Sequence, residues 1–427
     1  MTIGLVPSVP GGGGSGIDQI ARDAAAAAAA DASAALTGSA NDSVARAGQT
    51  MTTVPVIYSV PAQYATINAA LQAAKSAKLA KGTRATIQVA AGTYNESLVF
   101  TNGDFSFLSI EGADTTVDSM TAGAAITIAG TARAWSITVP ITNTAAYSVG
   151  DFVLMWCAST IPTTASQASL WGMFKVTAKT ASSITVLCTS SSTTLSTIAA
   201  GTITDLKIAK IKTIISCGDT HAISVVDAIG PSIKNLGLVC TASAPANGNG
   251  LNLVRGTLYT HQQLPSVAQD KPYFGVWGFL NGLYAYSSNF VGSFYSGNAY
   301  TNGLFLGMNS FAISRALAVN GSGSSGTSGN GVWALSNSCL AAAGYSSESL
   351  HAVVTGAAYA GLAANMACID IYNGAALGNG VAGGSVDMYA YRQGYITVGA
   401  SATFKYSTLS PAVNTNGNNN SYIAAAA

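Results

Sequence analysis

An Asn-Gly pair followed by an apolar–x–apolar triplet recurs in the second half of this chain. Four clear copies begin at Asn249, Asn281, Asn302 and Asn330. A looser copy begins at Asn379, and a weaker Thr355-Gly356 unit lies in the last interval. Asn and Gly both tolerate positive φ, so each pair predicts a sharp turn. The alternation after the pair predicts a short strand with one buried face.

The spacing of these copies predicts the fold. Their first residues lie 32, 21, 28 and 49 residues apart, and Thr355 divides the last interval into 25 and 24. Intervals in the twenties, each with one turn and one or two short strands, are typical of the stacked coils of a β-solenoid. We therefore predict an all-β fold, a parallel β-helix, in which the variable spacing indicates loops of different length on successive coils.

The composition fits a solenoid and argues against several other classes. Charged residues make up 8% of the 427 residues, against roughly 25% in ordinary soluble proteins, and hydrophobic residues make up 49%. Disorder requires low hydrophobicity, and the longest apolar run, Ala24–Ala30, is too short to span a bilayer. A net charge of +1 gives no reason to expect nucleic acid or membrane insertion. The scarcity of charge also favours an oligomer, because subunit contacts hide surface that a monomer would have to charge.

Cysteine and histidine spacing predicts neither a metal site nor a cofactor. The six cysteines contain no C-x-x-C pair and have no histidine at metal-ligand spacing, and the three histidines are far apart. All six cysteines lie in apolar or strand-like contexts, which predicts buried free thiols made in a reducing cytosol. Cys217 with Cys240, or Cys339 with Cys368, could still face each other on neighbouring coils and form a disulfide.

Several segments of different composition make up the first half of the chain. Residues 1–16 are rich in Gly and Pro and lack the basic start and apolar run of a secretory signal, so we expect no Sec export. The Ala-rich run from Ile17 to about Ala47 predicts a helix, either in a tight bundle between chains or as a solvated linker. Pro61–Lys78 predicts an amphipathic helix. Short alternating strands from about Ala132 to Ile208 predict a small β domain inserted into the solenoid.

Two segments carry a resemblance to a known superfamily. Tyr64–Ala74 (YATINAALQAA) and Ile87–Glu96 (IQVAAGTYNE) resemble the opening of pectin-lyase-like right-handed β-helices. In that superfamily a helix caps the first coil, and a V-x-x-G-x-Y-x-E segment forms the first rung. The resemblance implies a right-handed β-helix and is not specific for an activity.

The two ends of the chain resemble those of phage tailspikes and tail fibres. The Gly-rich peptide with the Ala-rich helix is similar to a virion-attachment end, and Ser410–Ile423 is similar to segments that end such proteins. The resemblance implies a homotrimer made in the cytoplasm of the bacterial host and located in the virion tail. Residues 1–50 would dock phage tail or adaptor proteins, and a bacterial surface polysaccharide would be the ligand. The predicted regions are 1–50 (attachment peptide and helix), 51–131 (linker, capping helix and first coils), 132–208 (inserted β domain), 209–406 (main β-helix) and 407–427 (C-terminal segment).

A dense aromatic segment supplies candidate ligand-binding residues. Residues 272–300 hold ten of the 35 aromatic side chains. Flat aromatic faces stack on the apolar faces of sugar rings, and Tyr and Trp add polar edges. We predict contacts with saccharide for Tyr273, Trp277, Tyr284, Tyr286 and the nearby His261. In the alternative interpretation, most of these aromatic side chains pack in the core or between chains.

Carboxylates are too scarce to predict catalysis. Glycoside hydrolysis requires two carboxyl groups roughly 5–10 Å apart. Glu348, Asp370 and Asp387 are separated by about one coil each, so they are weak catalytic candidates that could stack on one face. We therefore predict a receptor-binding tail protein rather than an enzyme. A tailspike depolymerase, acting as a glycoside hydrolase or polysaccharide lyase, and a purely architectural spike remain open as alternatives.

Overall fold

Two compact units make up the chain. The computed structural model describes residues 23–34, 52–158, 160–260, 274–323, 329–342, 352–371, 374–377, 386–398, 403–404 and 422–425. The first unit comprises Met1–Val54 and Ala77–Thr83, and the second comprises Pro55–Ser76 and Arg84–Ala427. In the first unit, residues 23–34 form helix α1, whose residues are all exposed, and Thr52 pairs with Leu79 in an isolated parallel bridge.

Strands dominate the second unit. It contains helices α2 (Ile67–Ser76) and α3 (Ala165–Ala168), and a 3-10 turn at Thr144–Ala146. The first five strands are β1 (Val56–Val60), β2 (Ala85–Val89), β3 (Gly92–Asn95), β4 (Leu98–Thr101) and β5 (Leu108–Gly112). The next seven are β6 (Thr116–Ser119), β7 (Thr127–Thr131), β8 (Ala134–Pro140), β9 (Phe152–Cys157), β10 (Gly172–Lys179), β11 (Ser183–Cys188) and β12 (Leu206–Ile211).

The remaining strands complete the coils. They are β13 (Thr213–Cys217), β14 (Ile223–Val226), β15 (Ile229–Lys234), β16 (Leu236–Cys240), β17 (Asn249–Val254), β18 (Thr257–Tyr259), β19 (Phe274–Trp277), β20 (Asn281–Tyr286), β21 (Asn289–Ala299), β22 (Asn302–Gly307), β23 (Phe311–Ser322), β24 (Asn330–Leu335), β25 (Cys339–Ala342), β26 (Ala352–Ala357), β27 (Ala360–Asn365), β28 (Cys368–Ile371), β29 (Gly374–Leu377), β30 (Val386–Tyr391), β31 (Tyr395–Val398), β32 (Thr403–Phe404) and β33 (Tyr422–Ala425).

Parallel pairing arranges these coils into three ladders. Ladder 1 contains β1, β2, β5, β15, β18, β21, β23, β25, β28, β31 and β33. Ladder 2 contains β3, β13, β16, β19, β21, β23, β26, β29 and β32. Ladder 3 contains β4, β14, β17, β20, β22, β24, β27 and β30. The chain visits the ladders in the order 1, 2, 3, and the long strands β21 and β23 span the corner between ladders 1 and 2. The prediction of stacked parallel coils is confirmed.

The four clear Asn-Gly pairs begin four of the eight ladder 3 strands, but they do not form the turns. Asn249, Asn281, Asn302 and Asn330 are the first residues of β17, β20, β22 and β24. Neither these asparagines nor the glycines that follow them have positive φ. The prediction of a sharp, positive-φ turn is therefore wrong at these four pairs. The glycines are required for space, because a Cβ atom at Gly250, Gly303 or Gly331 would overlap a valine side chain of ladder 2.

The four asparagines stack as an amide ladder, in which Asn249, Asn281 and Asn302 are buried and Asn330 is half-buried. Nδ2 of Asn281 donates to Oδ1 of Asn249 at 2.9 Å, and Nδ2 of Asn302 donates to Oδ1 of Asn281 at 2.9 Å. The backbone N–H of Asn330 donates to Oδ1 of Asn302 at 3.1 Å. At the next coil the register partner of Asn330 is Ala360. The unit at Thr355 lies instead in β26 of ladder 2, and the looser copy at Asn379 lies outside the described residues.

His221 continues this ladder by one coil and makes it sensitive to pH. The backbone N–H of Asn249 donates to Nδ1 of His221 at 3.1 Å, and burial lowers the pKa of this imidazole below 6.5. A lone pair on Nδ1 is lost on protonation, and the unfolded chain binds that proton more readily than the folded chain. We expect this contribution to stability to be complete above pH 6.5 and to disappear as the pH falls through the folded-state pKa. Urea unfolding at pH 7.5 and 5.5 should show a smaller pH effect for His221→Asn than for the wild type, and an equal effect would contradict the assignment.

The true corners lie at the other end of each ladder 3 strand. Positive φ occurs there at Asn102, Asp227, Arg255, Ser287, Met308, Asn309, Ser336, Asn337, Met366, Arg392 and Gln393. At three of these corners a buried serine follows, and the backbone N–H of Ser288 and that of Ser310 each donate to the serine hydroxyl of the next coil. The left-handed conformation at non-glycine residues turns the chain from ladder 3 into ladder 1.

A seven-stranded antiparallel sheet interrupts the coils between β5 and β13. Its strand order is β6-β12-β9-β10-β11-β8-β7. It begins at Thr116 and ends at Ile211, so it extends beyond both limits of the 132–208 segment expected from the sequence. We call residues 116–211 the insert. Its buried core is continuous with Ile214, Val239, Trp277, Tyr295, Ala316, Ala318 and Val353 from the coils.

Polar contacts fix the insert on the outer face of ladder 2. Nδ2 of Asn320 donates to the carbonyl oxygens of Ser169 at 2.9 Å and Trp171 at 3.0 Å. The hydroxyl of Ser191 donates to the carbonyl oxygen of Gly356 at 2.8 Å. The insert thus removes much of the outer surface of ladder 2 from water within a single chain, whereas β3 of that ladder and the outer faces of ladders 1 and 3 stay exposed.

Helix α2 and the strands that follow it form the start of the coils. Helix α2 buries Ile67, Ala70, Leu71 and Ala74. The two carboxylate oxygens of Glu96 accept hydrogen bonds from the backbone N–H groups of Ile67 and Asn68, both at 2.8 Å. Glu96 therefore caps the helix N-terminus, where a negative charge is favourable.

The two cysteine pairs are register partners on neighbouring coils. Cys217 pairs with Cys240 in ladder 2, and Cys339 pairs with Cys368 in ladder 1. All six thiols are free. Burial raises the pKa of Cys217 to about 11 and that of Cys339 to about 12, so these two thiols are protonated at neutral pH.

Candidate functional site

One row of side chains on the outer face of ladder 3 becomes aromatic in its second half. The middle residue of each apolar–x–apolar triplet is the register partner of the middle residue in the next coil. These residues therefore lie side by side in one row along the ladder. In chain order the row is Val99, Ser224, Asn252, Tyr284, Phe305, Trp333, Ala363 and Tyr389. We call Tyr284, Phe305 and Trp333, which are all partly exposed, the aromatic stripe.

The rings of the aromatic stripe are in contact with one another. The rings of Tyr284 and Phe305 are stacked, with centroids 4.9 Å apart and planes at 7°. The ring of Trp333 meets Phe305 edge-on, at 5.5 Å and 84°. These are favourable aromatic geometries, so the three rings form a defined surface on a rigid sheet.

Gly307 widens this surface toward Tyr286. Tyr286 and Gly307 are register partners in the neighbouring outer row. A Cβ atom on Gly307 would lie 2.9 Å from Cε1 of Phe305 and 3.4 Å from Cδ2 of Tyr286. The missing side chain therefore lets both rings lie beside the backbone of β22 and form one broad apolar area.

A second aromatic group lies further along the row. The buried Ala363 separates this group from Trp333. Tyr389 stacks on Tyr391 at 6.1 Å and 14°, and it meets Tyr359 edge-on at 6.0 Å and 77°. The guanidinium of Arg392 lies 4.9 Å from the ring centroid of Tyr391. We call Tyr359, Tyr389 and Tyr391 the tyrosine cluster.

Tyr284 of the aromatic stripe and Tyr389 of the tyrosine cluster are neutral hydrogen-bonding groups near neutral pH. Burial raises the pKa of Tyr284 above 10, with a smaller contribution from Tyr286. Burial also raises the pKa of Tyr389, with Tyr359 and Tyr391 adding to it. Each phenol can therefore donate and accept hydrogen bonds at the edge of an apolar surface, which is the combination that sugar rings require.

The structure separates the aromatic residues that the sequence grouped together. Tyr284 and Tyr286 lie on the outer face of ladder 3, as half-buried side chains. Trp277 lies on ladder 2 instead, is 6% exposed, and packs edge-on against Phe152 of the insert at 6.0 Å. Tyr273 and His261 lie outside the described residues. The other buried aromatic residues of the segment are Phe274, Phe279, Phe290, Phe294 and Tyr295.

The carboxylates singled out by spacing do not share one face. Asp370 lies on ladder 1, is exposed, and accepts a hydrogen bond from the hydroxyl of Thr397 at 2.6 Å. Asp387 lies in β30 of ladder 3, and Glu348 lies outside the described residues. Within the described part of the chain, no group of three or more His, Cys, Asp or Glu side chains could hold a metal ion.

Sequence reasoning missed Phe305, Trp333 and Tyr389. A signal for the first two was present, because both occupy the x position of an Asn-Gly-apolar-x-apolar copy. That position points outward once the flanking apolar residues point inward. Local aromatic density identified Tyr284 and Tyr286 but not these three residues, since a site on a solenoid is assembled from equivalent positions of successive coils.

Comparisons with known proteins give similarities of structure. No family model and no curated protein matches the chain. Solved structures similar to it include three phage tailspikes. The tailspike gp49 of Pseudomonas phage LKA1 has a TM-score of 0.21 and 12% identity over 80% of this chain and 57% of its own. The tailspike gp61 of Pseudomonas phage phi297 has a TM-score of 0.20 and 12% identity over 79% of this chain and 72% of its own.

The third similar structure is the gp54 tailspike of Acinetobacter baumannii bacteriophage AP22, in complex with A. baumannii capsular saccharide. Its TM-score is 0.22, with 11% identity over 79% of this chain and 66% of its own. This chain therefore spans less than two thirds of the length of the first and third tailspikes. Among the described residues, no helix has the length and apolar character needed to cross a membrane.

Proposed function

We propose that this protein is a bacteriophage tail protein that binds a bacterial surface polysaccharide through the aromatic stripe. The observation that carries the proposal is the row Tyr284, Phe305 and Trp333, three partly exposed rings in mutual contact on one face of the β-helix. The phage assignment rests on the sequence resemblance of the two chain ends.

A polysaccharide fits this surface better than a compact ligand does. Neighbouring strands are about 4.8 Å apart, so the stripe presents rings at intervals along the axis of the coils. A chain of sugars could lie along the row and contact the exposed parts of successive rings, with the phenol groups of Tyr284 and Tyr286 at the edge. Contacts of this kind are individually weak, and three copies in a homotrimer would add avidity without a deep pocket.

Binding without cleavage is the preferred form of this function. The clefts beside ladder 2 contain one carboxylate each, Asp151 in one and Glu96 in the other, and Glu96 is occupied by the N-terminus of α2. Asp370 and Asp387 lie on different ladders. A hydrolase would require two carboxyl groups within reach of one glycosidic bond.

The proposal includes the assembly that the sequence predicts. The protein would be a homotrimer with a right-handed β-helix, and residues 1–50 would dock it to the phage tail. The alanines of α1 are all exposed in the single chain, which is expected of a helix that packs against copies of itself. A light-scattering mass of one chain in solution would reject the trimer.

One experiment measures both the binding of a polysaccharide and the length of that polysaccharide after incubation. The purified protein is incubated with a panel of bacterial surface polysaccharides, and both cosedimentation and glycan size are measured. We expect at least one intact polysaccharide to sediment with the wild type and not with a Phe305→Ala/Trp333→Ala variant. Shortened glycan with new reducing or unsaturated ends would identify a depolymerase, and no association with any polysaccharide would leave an architectural role.

A further inference from the structure

A cleft of about 1020 Å³ opens between the insert and the outer face of ladder 2. The insert contributes Phe152, Lys175 and Lys210 to its lining, and the coils contribute Val239 and Trp277. Its volume is at the upper end of the range for small-ligand sites, roughly 300–1000 Å³. We call this space the lysine cleft.

Positive charge is concentrated in the lysine cleft. Its lining contains Lys175, Lys210, Lys212 and one carboxylate, that of Asp151, which gives a formal charge of +2. The whole chain has a net charge of only +1, and 8% of its residues are charged. An arrangement of like charges around one cleft is unfavourable for folding alone, so it points to an anionic ligand.

Two of these lysines have no partner to neutralise them. The ammonium of Lys210 forms a 2.7 Å ion pair with Oδ2 of Asp151 and donates to the carbonyl oxygen of Ala146 at 2.9 Å. In the described part of the chain, neither Lys175 nor Lys212 makes a side-chain hydrogen bond or ion pair. Lys175 extends from β10 and Lys212 follows β12, so the insert and its junction with the coils supply the two unpaired charges.

The inner wall of the lysine cleft is apolar. Trp277 and Val239 are register neighbours on ladder 2, and both are nearly buried. The ring of Phe152 packs edge-on against Trp277 with centroids 6.0 Å apart. An aromatic and aliphatic wall opposite ammonium groups suits a ligand with one apolar face and one anionic substituent, and such a ligand is an acidic sugar.

A second cleft, of about 480 Å³, adjoins the lysine cleft. The two share Ser216 and Thr241, and the second is lined further by Asn95, Ser97 and Thr220. These hydroxyl and amide groups can bond neutral sugar hydroxyls. The two adjoining clefts together have room for more than one residue of a saccharide chain, with the anionic residue in the lysine cleft.

We infer that the lysine cleft binds an anionic sugar residue, held by Lys175 and Lys212 against the wall of Phe152 and Trp277. This inference rests on the glycan-binding function proposed above and adds a second, charge-selective site to it. Lysine binds carboxylate and phosphate alike, as a point charge, so both uronic acids and sugar phosphates belong to the ligand class.

The test compares sugars that differ only in the anionic group. Galacturonate and glucose 6-phosphate are titrated into the full chain by calorimetry or ligand-observed NMR, with galactose, glucose and inorganic phosphate as matched references. We expect an anionic sugar to bind at least tenfold more tightly than its neutral parent and than inorganic phosphate. Lys175→Gln and Lys212→Gln should each reduce that affinity roughly fivefold, and the affinity should fall with added salt.

The controls separate this site from the aromatic stripe. Lys207→Gln removes a charge from β12 outside the lysine cleft and should leave the affinity for the anionic sugar within twofold of the wild type. Lys175→Arg keeps the charge and should retain binding. Unchanged melting curves of all variants would exclude misfolding. A Phe305→Ala/Trp333→Ala variant should still bind the anionic sugar, even where it has lost the polysaccharide. Equal binding of neutral and anionic sugars, no binding of either, or binding that is indifferent to both lysine substitutions would overturn the inference and leave the proposed function standing.

Discussion

Replacing Gly303 with alanine is expected to lower the free energy of unfolding by about 3 kcal/mol, at the upper end of the cost of overfilling a core. A Cβ atom at this position would overlap Cγ1 of Val319 and would lie 2.8 Å from the carbonyl oxygen of Gly331. Val319 is fully buried in ladder 2, and the carbonyl oxygen belongs to the next coil, so neither can move aside at low cost. The measurement is urea unfolding followed by circular dichroism.

A second glycine provides the matched control. A Cβ atom added to Gly218 would have no other atom within 4 Å, and Gly218 does not have positive φ. Gly218→Ala should therefore change stability by less than about 0.5 kcal/mol. The same small effect of both substitutions would contradict the prediction. It would mean that ladders 2 and 3 can move apart to accommodate the methyl group beside Val319.

The repeat of the coils can be predicted from the sequence because equivalent residues recur in it. Asn249, Asn281, Asn302 and Asn330 stack in register, so the pattern marks the first residue of four of the eight ladder 3 strands. The physical reason for the pattern differs from the one that the sequence suggests. The asparagines recur because they form a side-chain ladder and the glycines because space is short, whereas non-glycine residues such as Asp227 form the turns.

The insert shows where single-sequence reasoning stops. Its alternating strands are visible in the sequence, but nothing there indicates that it covers ladder 2 or that Asn320 bonds to Ser169 and Trp171. Those contacts join residues about 150 positions apart. The insert covers part of the surface of the coils, and this surface needs no charged residues. The low charge content therefore has a cause within one chain, whereas the sequence alone suggests oligomerisation as the cause.

The sequence predicts an aromatic saccharide-binding surface, but it identifies only some of the residues of the candidate site. Tyr284 and Tyr286 lie on the aromatic face, but Trp277 lies in the wall of the lysine cleft. Phe305 and Trp333 could have been found by aligning the coils, whereas Tyr389 follows a copy whose start lies outside the described residues. The lysine cleft could not have been found, because Lys175 and Lys212 meet the coils only through the fold of the insert.

Replacing Trp333 with alanine is expected to weaken polysaccharide binding by about 2 kcal/mol, or roughly thirtyfold, as for an aromatic hot spot at an interface. Trp333 has the largest ring in the aromatic stripe, and Ala363 beside it leaves one side of the indole without an aromatic neighbour in the row. Trp333 packs against Ala363 and remains partly exposed, so a sugar ring could cover the part of the indole that is open to water. The measurement is the dissociation constant for the polysaccharide that cosediments with the wild type.

Two matched variants decide whether the flat ring of Trp333 and its position on ladder 3 are responsible. Trp333→Phe keeps a flat ring at the same place, so most of the affinity should remain. Tyr395→Ala removes an aromatic residue that is 42% exposed on ladder 1, and it should bind as the wild type does. A loss in both alanine variants would indicate a general effect on assembly. Full affinity in Trp333→Ala would place the polysaccharide on another surface, because a polysaccharide bound along ladder 3 would contact this ring and would bind more weakly without it.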